Sequence, residues 1–330
     1  MTIQEFSQSL GISTATISRA FSDKGRISPK TRTFIRQKAA ELGYRPNLHA
    51  RNMARRTTDG LAMFYEAPPT VSSDYYVAEL SFGITSAASQ HGRSMQMHAI
   101  NTDSDASIKS AMDLILNGAI GGFILNLITD WGQNLVDAAE RVGLPYLIID
   151  NTREPSEKVL SMGPHIEAVS ERAGDFLRRL GKKRPAFVRG IHDHGKIKGF
   201  ARGFSIKEEA LTHLEAGTSF AEAHACWTAF AKGRVREELP DCLYCANDVL
   251  AIGTIRAIKD QGLSVPGDIS VIGCDDLAMS AYCDPSLTTL RLPKFELGEI
   301  AVQRLIALVD GKPLPATSLP ECNLIIRNSA

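Results

Sequence analysis

Three stretches of the 330-residue chain bring together side chains that could do chemistry. The run Gly190-Ile-His-Asp-His-Gly195-Lys196-Ile197 spells Gly-x-x-x-x-Gly-Lys directly after a stretch, PAFVRG, that reads as a strand. A phosphate-cradling loop of that kind needs Ser or Thr after its lysine to hold Mg²⁺, and Ile197 stands there instead, so nucleotide hydrolysis is not expected. His192-Asp193-His194 in the same loop suggests a metal, but alternating residues on a loop read as polar lining and the spacing supplies no further ligand. Cys242-x-x-Cys245 is followed by neither a second pair nor paired histidines, and its setting CLYCAND reads as a buried strand. There is no Gly-x-Ser-x-Gly elbow and no carboxylate pair placed for acid/base work. Enzymatic activity, a metal and a cofactor are therefore not expected.

Binding chemistry is better supplied. Short apolar runs, LAMFY (61–65), SMQMHAI (94–100), GGFILNL (121–127), YLIID (146–150), PAFVRG (185–190), CLYCA (242–246) and ISVIGC (269–274), alternate with amphipathic stretches. That alternation predicts βαβ units and parallel sheets, in which ligands sit beyond the carboxyl ends of the strands. The polar residues just after those ends are Asn126, Asp150, Asn151, His192, Asp193, Asn247, Asp248, Asp275 and Asp276.

The first 56 residues differ in charge from the rest. They hold eleven Lys and Arg against three Asp and Glu, a net +8, and the remainder carries 26 against 34, a net −8. A basic head on an acidic body predicts that the head meets phosphate. Within it, Ile3, Phe6 and Leu10 mark a first helix ending at Gly11. Ser13 is an N-cap for a second helix that turns Ile17, Ala20 and Phe21 inward, leaving Thr14, Ala15, Ser18 and Arg19 on the opposite face. A third begins at Ser28-Pro29, buries Phe34, Ile35, Ala39 and Leu42, and stops at Gly43. Periodicity alone fits a plain three-helix bundle, whereas the charge and the helix-glycine-turn-helix spacing favour a DNA-binding unit. On that reading Thr14 and Ala15 meet base edges, Arg19 bonds guanine O6/N7 or clamps phosphate, and Ser7, Thr16, Ser18 and the amides at the Ser13 cap fix register on phosphates.

Two readings of Asn47 to Met53 stand side by side: a flexible basic linker, or a short helix formed only when two copies pack on DNA. The second puts Met53 between base pairs in the minor groove and Arg51 or Arg55 on the backbone.

The runs TIQEFSQSLGISTATISRAF and ISPKTRTFIRQKAAELGYRPNLHARNM resemble the DNA-binding head and hinge helix of the lactose/galactose repressor (LacI/GalR) family. DYYVAELSFGI, CANDVLAIG, ISVIGCDD and PSLTTLRLPKFELGEIAVQRL resemble that family's periplasmic-binding-protein-like sensor domain. The resemblance implies an all-α helix-turn-helix head over 1–44, a hinge and linker over 45–59 that includes Asn47, and an α/β two-lobed effector domain over 60–330. Lobe one would take about 60–160 and 291–320, and lobe two about 161–290 and 321–330. Thr14, Ala15 and Arg19 fall at base-reading positions, and Met53 falls where the family places an intercalating leucine. Asn247 and Asp275 match sugar-hydroxyl ligands, Asp150 lies at the crossover, Asn126 follows a strand end, and Tyr75 or Tyr76 lies near the aromatic at the cleft mouth. One position departs: Phe200 stands where the family has an arginine, three residues before Gly203, leaving Lys196, Lys198 or Arg202 to supply the charge.

The expected protein is thus a transcription regulator, a repressor, that binds double-stranded palindromic operator DNA as a homodimer under allosteric control by a small carbohydrate-like effector. Without a leader-like N-terminus or a span of ~20 apolar residues, it is expected in the cytoplasm with no membrane partner. A solute-binding receptor of a transport system shares the sensor fold and is the alternative. The chain ends without a heptad tail, so a coiled-coil tetramer is not expected.

Overall fold

The chain divides into two units, Met1–Asp59 and Gly60–Ala330. The computed structural model describes residues 2–21, 27–44, 60–67, 75–126, 129–190, 193–316 and 318–330. Of the residues singled out above, Asn47, Arg51, Met53, Arg55 and His192 lie outside them.

The head is built from α1 (Ile3–Leu10), α2 (Thr14–Ala20) and α3 (Pro29–Glu41). Each start is fixed by a hydroxyl. Thr2 and Glu5 form a reciprocal capping box on α1, Ser13 accepts from the Thr16 amide on α2, and Ser28 accepts from the Thr31 amide on α3, with Pro29 opening the helix. Gly11, at φ +63°, ends α1 in the left-handed conformation. Phe6, Ile17, Ala20, Ile35, Ala39 and Tyr44 form the core, with the Tyr44 ring stacked 4.3 Å from Phe6. Two expectations fail here: Phe34 and Leu42 are 46% and 44% exposed. A helix turns about 100° per residue, so once Ile35 and Ala39 face inward Phe34 is carried off the buried stripe, and Leu42 lies past the last turn. Tyr44, beyond the helix, fills the place instead.

The larger unit contains two sheets. The first is all parallel, in the order β2-β1-β3-β4-β5, from β1 (Gly60–Glu66), β2 (Ser94–Ile100), β3 (Gly122–Asn126), β4 (Tyr146–Ile149) and β5 (Val159–Leu160). The helices α4 (Tyr75–Gln90), α5 (Asp105–Leu116) and α6 (Asp130–Val142) connect its strands. Leu61, Met63, Ile124, Leu147 and Ile149 enter one core, while Ala62, Phe64, Phe123, Leu125 and Ile148 enter another. Covered on both faces, the strands read as continuous apolar runs.

The second sheet has the order β11-β10-β9-β8-β6-β7 and is parallel except for β11. Its strands are β6 (Pro185–Arg189), β7 (Thr212–Glu215), β8 (Cys242–Cys245), β9 (Ser270–Cys274), β10 (Thr288–Arg291) and β11 (Asn323–Ile325). Around it lie α7 (Gly163–Arg179), α8 (His194–Phe204), α9 (Phe220–Ala231) and α10 (Asp248–Asp260). After β10 the chain returns to the first sheet, where α11 (Lys294–Asp310) packs on α4, β3 and β4, before coming back as β11. The α7–α8 crossing is a glycine contact: a Cβ on Gly203 would run into the Glu171 carbonyl.

Candidate functional site

In the head, α2 turns Ile17 and Ala20 into the core and leaves Thr14, Ala15, Ser18 and Arg19 exposed. The Thr16 hydroxyl is paired with Ser13 at 2.9 Å. The Ser7 hydroxyl donates to the Ile12 carbonyl at 2.6 Å and so pins the turn between α1 and α2.

In the larger unit, the expected ligand residues fall at strand ends in both sheets. Asn126 closes β3 almost fully buried, and its Oδ1 has no hydrogen-bond partner among the described residues. Asp150 follows β4, also buried, where Oδ1 accepts from the Thr152 amide at 2.8 Å and the Thr152 hydroxyl at 2.6 Å. Asn247 caps α10 by accepting from the Leu250 amide at 2.9 Å. Tyr75 and Tyr76 open α4 half-buried, with Tyr76 against the core.

Asp275 follows β9 and is shaped from several directions. Its φ is +123° and that of Asp276 is +51°, values that side-chain-bearing residues seldom hold. Its amide donates to the Leu290 carbonyl at 2.8 Å, and its carbonyl accepts from Lys294 Nζ at 2.8 Å. Beneath it the wholly buried Asp248 accepts from the Leu277 amide at 2.8 Å, the Ser280 hydroxyl at 2.6 Å and the Thr289 hydroxyl at 2.5 Å. Burial, and then the neighbouring Asp275 charge, outweigh those donors and push the Asp248 carboxyl up to about 6. Asp276 pairs with Arg327 at 2.6 Å.

Of the three cations available around the Phe200 departure, Lys198 and Arg202 are half-exposed and pair with Glu167 on α7, Arg202 also with Glu171. Lys198 is therefore a surface tie between α7 and α8, not a lining residue of the strand ends. Phe200 is corrected likewise: it is fully buried, 5.2 Å from the Tyr244 ring and 5.9 Å from Phe204, because α8 turns it into the core of the second sheet. Lys196 alone points inward, with Nζ donating to the Ala246 carbonyl at 2.6 Å and lying 3.9 Å from Asp193. Sequence reasoning left Lys196 as one of three options and missed Lys294 and the bracing role of Asp248. No local pattern marks residues whose partners lie 19 to 41 positions away.

The cysteines carry no such chemistry. Cys242 and Cys245 lie buried at the two ends of β8, and burial pushes both thiols above their ordinary range. Among the described residues no group of three or more His, Cys, Asp or Glu could hold a metal, and no helix is long and apolar enough to cross a membrane.

A capped three-helix head with a polar face, and a two-sheet α/β unit whose polar residues gather at strand ends, define a regulator with a separate sensing domain. The family described as "Bacterial regulatory proteins, lacI family" matches residues 2–47, and the "Periplasmic binding protein-like domain" matches residues 175–330. The chain is 27% identical to the HTH-type transcriptional repressor CytR of Escherichia coli strain K12, covering 99% of this chain and 96% of that protein. It is 28% identical to the HTH-type transcriptional regulator AscG of the same strain, over 99% and 98% of the two chains. A lac repressor dimer, solved bound to operator and the anti-inducer ONPF, shares the fold with a TM-score of 0.81 at 24% identity, over 100% of this chain and 98% of that one. A CelR–cellobiose complex superposes with a TM-score of 0.71 at 20% identity, over the full length of both. The chain thus joins a LacI-family DNA-binding domain to a periplasmic-binding-protein-like domain, the combination of a transcription regulator rather than of a transport receptor.

Proposed function

We propose that this regulator is a repressor that binds a near-palindromic operator as a homodimer, with one α2 helix reading each half-site. The exposed face Thr14, Ala15, Ser18 and Arg19, on a helix whose start is capped by Ser13 and within a 56-residue N-terminal stretch of net charge +8, carries the reading. Thr14 and Ala15 meet base edges, Arg19 bonds guanine or clamps phosphate, and Thr16 and Ser18 fix register. Residues 1–44 form the DNA-binding head. Residues 45–59, with Asn47, Arg51 and Met53, form the hinge, and 60–330 form the effector domain.

The effector is a small sugar or sugar derivative held at Asn126, Asp150, Asn247 and Asp275, with Tyr75 or Tyr76 beside it. Carboxylates and amides each accept from or donate to adjacent hydroxyls of a polyol. The unpartnered Asn126 Oδ1 and the left-handed Asp275 support this, as do a CelR solved with cellobiose and an Enterococcus faecium LacI-family regulator solved with ribose. Lys196 takes the place of the expected arginine. The protein works in the cytoplasm and turns over no substrate.

The test is fluorescence anisotropy with a duplex that the wild type selects from a random pool. Arg19→Ala should weaken binding by about 1–3 kcal/mol. Unchanged affinity would remove α2 as the reading helix. In a thermal-shift screen of sugars, polyols and nucleosides, Asp275→Ala should abolish any shift the wild type shows.

A further inference from the structure

Lys294 is the first residue of α11, where the chain leaves β10 of the second sheet for the helix packed on the first. Its side chain is 0% exposed. A buried ammonium persists only with partners for its charge and its donors, and Lys294 draws them from both sides. Nζ donates to the Asp275 carbonyl at 2.8 Å, meets Glu79 Oε2 at 3.1 Å, and lies 3.6 Å from Asp275 Oδ1. Burial opposes the ammonium, but Asp275 and Glu79 more than offset it, so its pKa lies above the ordinary lysine value. Glu79 sits on α4, one helical turn beyond Tyr75 and Tyr76, and Asp275 closes β9.

The backbone at Asp275 is the kind that needs outside support. Left-handed conformations of residues other than glycine are held by their surroundings and gather at functional sites. Asp275 and Asp276 stand consecutively in that region. Lys294 is the side chain that grips the Asp275 carbonyl.

We propose that Lys294 is a positioning residue for Asp275: it holds the left-handed backbone that presents the carboxylate and, through Glu79, ties that presentation to α4 on the first lobe. The functional half of this rests on reading Asp275 as an effector ligand. The 3.6 Å approach to Oδ1 is too long for a hydrogen bond, so the carboxylate is oriented from behind and keeps acceptor capacity for ligand hydroxyls. A ligand that shifts Asp275 must shift Lys294 and load Glu79, and a movement of α4 must in turn alter Asp275, which is the reciprocity that coupled sites require.

Hydrogen exchange on the unliganded full-length protein tests the positioning without any ligand. In Lys294→Met, exchange across residues 275–277 should quicken at least fivefold with β3 unchanged, and Lys294→Arg, which keeps the donors, should stay close to wild type. Should Lys294→Met fail to fold, Glu79→Gln on the half-exposed partner should give a smaller rise confined to the same segment. Unchanged exchange at 275–277 in whichever of these variants folds overturns the proposal. The ligand arm is calorimetry with D-ribose, D-galactose, cellobiose and adenosine as probes. For any that binds the wild type and is weakened by Asp275→Asn, Lys294→Met should weaken binding at least tenfold, and wild-type affinity in that variant also overturns it. If Asp275→Asn binds the probe as the wild type does while Lys294→Met still quickens exchange, the effector reading of Asp275 fails and the positioning role stands.

Discussion

Two aspartates close strands in the two sheets, Asp150 after β4 and Asp275 after β9, and they are held in opposite ways. The Asp150 carboxylate is held by its own loop: it accepts from the amide and the hydroxyl of Thr152 and lies 3.4 Å from Arg153, while the Asp150 amide donates to the Leu160 carbonyl of β5 at 3.0 Å. Asp275 is held from a distance, by Leu290 and Lys294 on its main chain and by Asp248 bracing Leu277, Ser280 and Thr289 beneath it. A carboxylate bound by residues two and three positions further on depends little on distant elements. One held from β9, β10, α10 and α11 records how those elements stand relative to one another, as a ligand-responsive site must.

The largest expected effect breaks the second arrangement at its base. Asp248→Ala leaves a buried amide and two buried hydroxyls without their acceptor, and should destabilise the protein by about 3 kcal/mol or more, read as a lowered urea midpoint with an unchanged slope. The same carboxyl also gives the contrast a pH signature. Its folded value of about 6 lies above the ordinary 3.8, so the native chain binds the proton more tightly than the unfolded one. The stabilisation is therefore complete below pH ~4 and is lost as pH rises through 6, by roughly 2–4 kcal/mol. Wild-type stability relative to Asp248→Asn should fall across that window. A difference that stays flat, or rises, would mean that Asp248 is not held as a buried carboxyl.

The same contrast decides what could be read from the sequence. The seven apolar runs each carry a strand, six of them because burial on both faces writes itself into consecutive residues, and β2 as a half-exposed edge strand. The missed strands β5, β7, β10 and β11 are two to four residues long, and β7 and β11 alternate or stay half-exposed. The three head helices were legible from caps and periodicity, but Tyr44 was not, because it reaches the core from beyond α3 by stacking on Phe6. Asp150 and Asp275 both looked like polar residues after a strand. What separates them, Lys294 and Asp248, acts through partners far along the chain and leaves no local mark. The Phe200 position shows the converse: its identity was plain, but only the packing of α8 against Tyr244 reveals a core ring.

The smallest expected effect tests the first arrangement. Asp150→Asn keeps an oxygen that can accept from Thr152, so stability should change by less than about 1 kcal/mol, whereas Asp150→Ala removes the acceptor from the Thr152 amide and hydroxyl and should cost about 1–2 kcal/mol. Either loss should stay within the loop that follows β4, with exchange at residues 275–277 unaltered. Were Asp150→Ala to cost as much as Asp248→Ala, or to loosen the far strand end, the first lobe's aspartate would belong to the same long-range assembly as the second's. The division of labour between a self-contained turn and a jointly built one would then collapse.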